Sequence, residues 1–205
     1  MQILKTISLV LAVALTSMSG HGSLAQGFDK GLAAAQSGDF ETAQKEWRPL
    51  AEQGHAGAQH TLGWMYDNGY GVPQDYEQAF EWYSKAAEQG NALAQYNLGV
   101  MYYKGEGVPQ DYAQAAKWIR KAAEQGVALA QYHLGYLYAK GTGVIQDNVY
   151  AHMWWNIASS LGDASLGDEN ASKDRDIIAK KMTAADISKA QELARECVRK
   201  NYKGC

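Results

Sequence analysis

The sequence predicts an all-α fold, an α/α superhelical solenoid of about four to five helix pairs closed by a C-terminal capping helix pair. Three observations predict it. A paragraph of 36 residues stands three times head to tail, from Ala51, Ala87 and Ala123. Apolar residues inside each copy recur at helical spacing. Glycines close the same register each time, at Gly54, Gly90 and Gly126. Units with such a period bury their apolar faces only against one another, so the repeats read as one continuous stack.

Residues 1–25 stand apart from this pattern. Lys5 is their only charge, an apolar run extends from Ile7 to Leu15, and Ser23-Leu24-Ala25 places small residues at −3 and −1 of a cleavage site before Gln26. The run is shorter than the roughly 20 residues that span a bilayer, so a cleaved secretory signal is expected, with no membrane anchor after cleavage. Residues 26–50 then form a degenerate first repeat. Asp39-Phe40-Glu-Thr-Ala43 matches Asp75-Tyr76-Glu-Gln-Ala79 at the 36-residue offset, with a tight Ser37-Gly38 turn before it.

The full copies occupy residues 51–86, 87–122 and 123–158. In the second, Ala94, Leu98, Met101 and Tyr102 share one face of a first helix, helix A, expected from about Asn91 to Lys104 and stopped by Gly105 and Gly107. Helix B starts where Asp75 and Asp111 stand three residues before Gln78 and Gln114, an aspartate version of the capping box. Its buried side should carry Tyr112, Ala115, Ala116, Ile119, Ala122 and Ala123, opposite Lys117, Lys121 and Glu124. Gly63, Gly99 and Gly135 lie inside helix A, where each costs about 1 kcal/mol against alanine. Close approach of the helix B alanines is the expected compensation. Trp82, Trp118 and Trp154 recur at one place on helix B and are expected to pack between repeats.

Residues 159–205 lose the phase after Ser159-Ser-Leu-Gly162. A polar stretch from Asp163 leads to a helix through Ile177, Ile178 and Met182, and Thr183-Ala-Ala-Asp186 starts a last helix carrying Ile187, Ala190, Leu193, Ala194 and Val198. The chain's two cysteines, Cys197 and Cys205, lie beyond the repeats. An even count in an oxidising compartment favours a disulfide between them, pinning the tail.

The strings A-E-Q-G, A-x-x-x-L-G-x-M/L-Y, G-x-G-V-x-Q-D and A-x-x-W resemble the Sel-one-like repeat family, relatives of the tetratricopeptide repeats, strongly over residues 51–158. The resemblance implies an α/α superhelix that serves as an adaptor in signalling, envelope or polysaccharide-related complexes. The third copy departs from the pattern, with Ile145 at the position of Pro73 and Pro109, and Asn148-Val-Tyr150 after its Asp147. Secreted, cysteine-rich members with a disulfide in every unit have been linked to β-lactam binding. No cysteine lies in these three repeats, so that property does not carry over.

Positions that change from copy to copy are free to read a partner. Thr61, Trp64 and Asn68, then Asn97, Val100 and Lys104, then His133, Tyr136 and Lys140 occupy the same three helix A positions. They form a stripe beside the core face, expected to line the inner surface of the superhelix and bind a protein or extended peptide segment. Trp64 and Tyr136 would be its apolar anchors. The bland alternative is a surface that tolerates change.

The net charge of −3, or −4 once residues 1–25 with Lys5 are removed, gives no electrostatic footprint for nucleic acid. His55, His60, His133 and His152 lack metal-motif spacing, so no metal or other cofactor is expected. Asp75, Asp111 and Asp147 read as helix caps rather than catalytic carboxylates, and no nucleophile elbow, phosphate loop or dinucleotide fingerprint is present. The expected function is therefore non-enzymatic: an exported, periplasmic or alternatively secreted, interaction scaffold or envelope regulator. A secreted hydrolase or a cell-wall or small-molecule binding protein is the alternative, and a pure structural spacer is a third reading.

Overall fold

Helix α1 (Gly22–Gln36) turns at Ser37-Gly38 into α2 (Phe40–Glu52), and the same hairpin then recurs along the chain. The computed structural model describes residues 22–160 and 167–205. Nearly all of the expected signal segment, and residues 161–166 with the start of the polar stretch, lie outside the described residues. The repeats supply α3 (Ala56–Asn68), α4 (Tyr76–Glu88), α5 (Ala92–Lys104), α6 (Tyr112–Ala123), α7 (Ala128–Lys140) and α8 (Asn148–Ser160). Two more helices, α9 (Gly167–Ala179) and α10 (Ala184–Arg199), follow. Among the described residues all ten elements are helices, consecutive pairs packing as in an α/α solenoid. Helices A are α3, α5 and α7, and helices B are α4, α6 and α8.

The chain divides into two units, one running to Ala94 with residues 106–108, the other comprising 95–105 and 109–205. In the first, α1 packs on α2, α2 on α3 and α3 on α4. Phe28, Trp47, Leu50, Leu62, Met65 and Trp82 build its core. In the second, α7 packs on α6 and α8, and both α9 and α10 pack on α8 as the cap. Leu134, Leu137, Met153, Trp154 and Ile157 close against Ala190 and Ala194 of α10.

Local chemistry explains the helix boundaries. Asp75 Oδ1 accepts the Gln78 N–H at 3.0 Å, and Asp111 Oδ1 accepts the N–H groups of Ala113 and Gln114 at 2.9 Å. Asp147 starts the divergent third copy in the same way, taking Val149 and Tyr150 at 2.8 and 3.1 Å. The return half of a capping box differs from expectation, because the N–H groups of Asp75, Asp111 and Asp147 donate to the carbonyls of Tyr66, Tyr102 and Tyr138 on helix A, at 3.0 Å each. The glutamine just before each aspartate completes the staple. Gln74, Gln110 and Gln146 donate their amides to Asp67, Tyr103 and Ala139 carbonyls at 2.7, 2.8 and 2.9 Å, satisfying acceptors that a helix end leaves open. The fully reciprocal box lies at Thr183 and Asp186, ahead of α10.

Each glycine inside helix A meets a large helix B side chain rather than an alanine. A Cβ on Gly63 would stand 2.6 Å from the Tyr83 ring, one on Gly99 2.7 Å from Ile119, and one on Gly135 2.7 Å from Trp155. The glycine is a notch for the residue after the repeated tryptophan. Trp47 fills the corresponding notch at Gly31, its indole N–H donating to Phe28 O at 3.0 Å, as Trp155 donates to Tyr132 O at 3.0 Å. The repeated tryptophans themselves diverge. Trp82 and Trp154 are buried as expected, whereas Trp118 is only half-buried beneath the Lys121 ammonium, 4.2 Å from its ring centroid. Tyr112, expected on the buried side of helix B, is 41% exposed.

Buried glutamines join successive hairpins. In the first unit Gln59 donates to Ala51 O at 3.0 Å and its Oε1 accepts from Gln89 at 2.6 Å; in the second Gln95 Oε1 accepts from Gln125 at 2.7 Å. The donors are the glutamines of A-E-Q-G. Gln131 continues the series with a bond to Ala123 O at 3.1 Å, but its buried Oε1 has no partner among the described residues. Gln89→Leu should therefore leave the Gln59 carbonyl oxygen buried without its donor and lower stability by about 1–3 kcal/mol. Urea unfolding checks this, and an unchanged midpoint would show that the pair contributes nothing.

Candidate functional site

The helix A stripe is positioned by its neighbours in the core. Leu62, Leu98 and Leu134 are buried with the notch glycines beside them, which turns the flanking positions toward the rim. Of the first-unit positions, Thr61 is only 8% exposed and its hydroxyl donates to Gly57 O at 2.9 Å. That makes Thr61 part of the wall. Asn68 is exposed, with its amide donating to Trp64 O at 2.9 Å. Trp64 is half-buried and stacks on Tyr70 at 4.8 Å, and Tyr70 stacks in turn on Phe40 at 4.9 Å.

In the second unit Asn97 and Val100 are half-buried on α5 and Lys104 is exposed. On α7 Tyr136 is 37% exposed, and the Lys140 ammonium lies 5.8 Å from its ring centroid. His133 joins the two helices. Its ring stacks on Tyr96 at 5.6 Å, with Nδ1 2.9 Å from the Tyr96 hydroxyl, and it meets Tyr132 at 5.4 Å. The six second-unit stripe residues thus sit on two helices joined by a direct side-chain contact.

Burial keeps several ring groups of this face uncharged. Burial pushes the Tyr96 phenol well above the usual tyrosine range and lowers His133. Burial, with the hydrogen bond to Asp174 at 3.0 Å, pushes Tyr132 up to about 12. Tyr103 is raised as well, by burial and then by Tyr136 and Tyr112. At neutral pH the phenols are therefore protonated and His133 is uncharged. Such groups suit hydrogen bonding and stacking. They offer neither a base poised near neutrality nor an activated nucleophile.

Two hollows lie away from the stripe. One of about 360 Å³ is lined by Asp147 and Asp186, with Lys181 and Met182 among their neighbours. Both carboxylates are engaged at helix starts. A second, of about 260 Å³, lies beside Lys117, Arg120 and Lys121 on α6. Arg120 is committed to the Tyr138 hydroxyl at 2.8 Å, as Arg48 is to Tyr66 in the first unit. No group of three or more His, Cys, Asp or Glu among the described residues could hold a metal ion.

Residues 56–91, 92–127 and 128–163 each match the Sel1 repeat. The chain belongs to the Sel1 repeat family. The three matches cover more than half of the chain and take the start of helix A as their phase, five residues after the Ala-Glu-Gln-Gly phase used above. A Sel1 repeat protein from Oxalobacter formigenes is 32% identical over 83% of this chain and 75% of its own, with a TM-score of 0.64. A protective antigen of uropathogenic Escherichia coli strains, which displays an SLR fold, is also 32% identical, over 89% of this chain and 48% of its own, with a TM-score of 0.53. This chain therefore spans about half of that antigen's length. No curated protein matches it. Sel1 repeat proteins generally act as protein-interaction scaffolds.

Beyond the stripe, this Sel1 repeat chain places three aromatic residues that the sequence reading passed over. Phe40 and Tyr70 flank Trp64, and Tyr103 meets Tyr112 edge-on at 5.3 Å. A signal for Tyr70 existed, since the residue between the loop glycines also changes from copy to copy, as Tyr70, Glu106 and Thr142. The Cys197–Cys205 disulfide is formed. It holds a tail in which Asn201 and Tyr202 both take positive φ, and the Tyr202 ring lies over Gly126, 3.2 Å from where a Cβ would stand. No described helix is long and apolar enough to cross a membrane.

Proposed function

We propose that this protein is an exported, non-enzymatic scaffold of the cell envelope, periplasmic or secreted, that holds a protein partner through an extended segment laid on its helix A faces. The observation that carries the reading is the split between repeated and changing positions. Leu62, Leu98 and Leu134 are buried, while Trp64, Tyr136, Lys104 and Lys140 keep surface at registers where the copies differ. Aromatic side chains with a stacking face and a polar edge are frequent energetic anchors of interfaces. The tail disulfide and the Ser23-Leu24-Ala25 site support export.

Pull-down from native periplasmic extract with the wild type and with a Trp64→Ala, Asn97→Ala, Tyr136→Ala variant tests this reading. Trp64 and Tyr136, as anchors, are expected to contribute about 2 kcal/mol each, so the triple variant should bind roughly 1,000-fold more weakly. Thermal unfolding of the variant separates lost binding from lost folding. Full partner recovery by a folded triple variant would remove the helix A faces from the function.

A further inference from the structure

The hollow of about 260 Å³ beside α6 has a charged lining that the stack does not require. Gly143 and Val144, in the loop after α7, form one wall, and Lys117, Arg120, Lys121 and Glu124 of the second repeat line the other. Three cations against one acid give it a net charge of +2, in a chain whose total is −3. The cations are spaced three and four apart, which brings them onto one face of α6. The ammonium groups of Lys121 and Lys117 lie 4.2 and 5.8 Å from the centroid of one ring, Trp118. A ring face attracts the charge without supplying the oxygen acceptors that ammonium N–H groups seek. No carboxylate among the described residues is paired with either lysine. Arg120 Nη2 donates to the Tyr138 hydroxyl at 2.8 Å, which orients the guanidinium and leaves its remaining N–H groups for a ligand. The first unit is an internal control. The same register of α4 carries Glu81, Ser84, Lys85 and Glu88, and there Lys85 alone meets its tryptophan, Trp82, at 4.4 Å. One basic residue near the end of a helix B already complements the helix dipole, whereas like charges four residues apart, as Lys117 and Lys121 are, destabilise a helix.

We propose that this hollow binds a phosphate group, free or as a monoester, with Lys117 and Lys121 as point charges and Arg120, oriented by Tyr138, as the planar donor. A phosphate monoester carries nearly two negative charges at neutral pH, which matches the net charge of the lining, and its three oxygens can each take a donor. Guanidinium groups suit phosphate geometry through paired N–H donors, and such charge-assisted bonds are stronger than neutral ones. A carboxylate would leave half of that charge unmatched. Ala113, Ala116 and Val144 give the organic part of an ester an apolar wall. Binding would relieve the repulsion between Lys117 and Lys121, so the occupied site would be the more stable one. This site lies on helix B and is independent of the helix A reading.

The indole N–H signal of Trp118 in the nitrogen-15-labelled full chain, assigned by its loss in Trp118→Phe, reports on the site. Inorganic phosphate and glycerol phosphate would each be titrated at constant ionic strength, balanced with NaCl. Both should give a saturable shift. Lys117→Glu, which installs the residue of the Glu81 register and leaves the Arg120–Tyr138 bond in place, should weaken binding by about tenfold or more. Lys85→Glu, the matching charge reversal in the first unit, should leave it unchanged, and the Tm of each variant reports whether it is folded. Cosedimentation with phosphatidylcholine vesicles containing phosphatidic acid distinguishes the source of the group. Vesicle binding that inorganic phosphate competes away, and that Lys117→Glu loses, would assign the site to a lipid headgroup, whereas a shift with the free phosphates alone would assign it to a soluble ligand. A shift no larger than NaCl produces, or equal binding by a folded Lys117→Glu variant, would overturn the proposal. Vesicle binding without any response to the free phosphates would overturn it too, by reducing the hollow to a general attraction for anionic surfaces.

Discussion

Gly143→Ala should be among the most destabilising single-methyl additions available to this chain, lowering its stability by about 3 kcal/mol or more. Two costs combine at this site. Gly143 has φ +69°, a left-handed conformation that costs an alanine roughly 1–2 kcal/mol. The added Cβ would also overlap the carbonyl oxygen of Tyr112, at the start of α6, and lie 3.1 Å from the Ala113 nitrogen. Backbone at the start of a capped helix cannot swing aside as a flexible side chain can, so the loop and the helix must separate. Gly141 is the control. Its φ is also +69°, but its Cβ would meet mainly the Gln146 side chain, at 3.1 Å, so Gly141→Ala should carry chiefly the conformational cost. For a chain of this length the difference should appear as a Tm lower by several degrees, roughly 2–4 °C per kcal/mol. Equal Tm values for the two variants would show that the loop yields to the methyl group. Gly107 stands in the same relation to the Tyr76 carbonyl, and Gly71 to that of Phe40, which generalises the effect to every G-x-G loop.

That second glycine shows where sequence reading stopped. The helix stop at G-x-G was legible because local backbone chemistry decides it, and Gly105 and Gly107 follow helix A with φ of 76° and 69°. The close approach of Gly143 to Tyr112 depends on a segment about thirty residues away and has no local signature. The glutamines followed the same rule. Gln59, Gln95 and Gln131 recur in phase with the glutamines of A-E-Q-G, yet nothing local says that Gln89 would donate to Gln59 across two helices. Helix starts were legible at Asp75 and Asp111 because the carboxylate reaches only two or three residues ahead. The return bond was misassigned because the true acceptors, Tyr66 and Tyr102, belong to another helix.

Register alone also overstates equivalence. Trp82, Trp118 and Trp154 are one position in the repeat, but Trp154 is 1% exposed in the core that α10 closes and Trp118 is half-buried. The candidate stripe divides in the same manner. Thr61 is a changing position whose hydroxyl can reach back four residues to Gly57 O, so variation there leaves a wall residue rather than a binding one. Tyr136 has no comparable bond within its own helix among the described contacts, and its ring remains at the surface. Variation marked which positions the core does not dictate, and the length and chemistry of each side chain decided which of them reach a partner.

Acid should weaken the fold between about pH 6.5 and 4, and His60 should account for much of the loss. Burial alone lowers this histidine from 6.5 to about 4. Its ring lies 5.7 Å from Tyr83, with 4% of the residue exposed. Between those two values the unfolded chain binds a proton that the folded chain does not, so stability rises with pH across the window and is complete above it. A shift of that size corresponds to about 3 kcal/mol, lost progressively as pH falls toward 4. His133 and His152 are lowered too, His133 by burial and His152 by burial and then by Arg175, so they steepen the same slope. Asp39 and Glu196 are held below their usual range by hydrogen bonds and add losses only from about pH 4.5 downward, which leaves the upper part of the window to the histidines. His60→Tyr, which installs the residue found at this register in Tyr96 and Tyr132, removes the titrating group. Urea unfolding from pH 4.5 to 8 should give a slope that is steep below pH 6.5 in the wild type and distinctly shallower in the variant. The quantity to compare is the slope rather than the absolute stability, because a larger ring changes packing equally at every pH. Parallel curves for the two proteins would mean that His60 protonates without leaving the core, and that the acid response resides in His133 and His152.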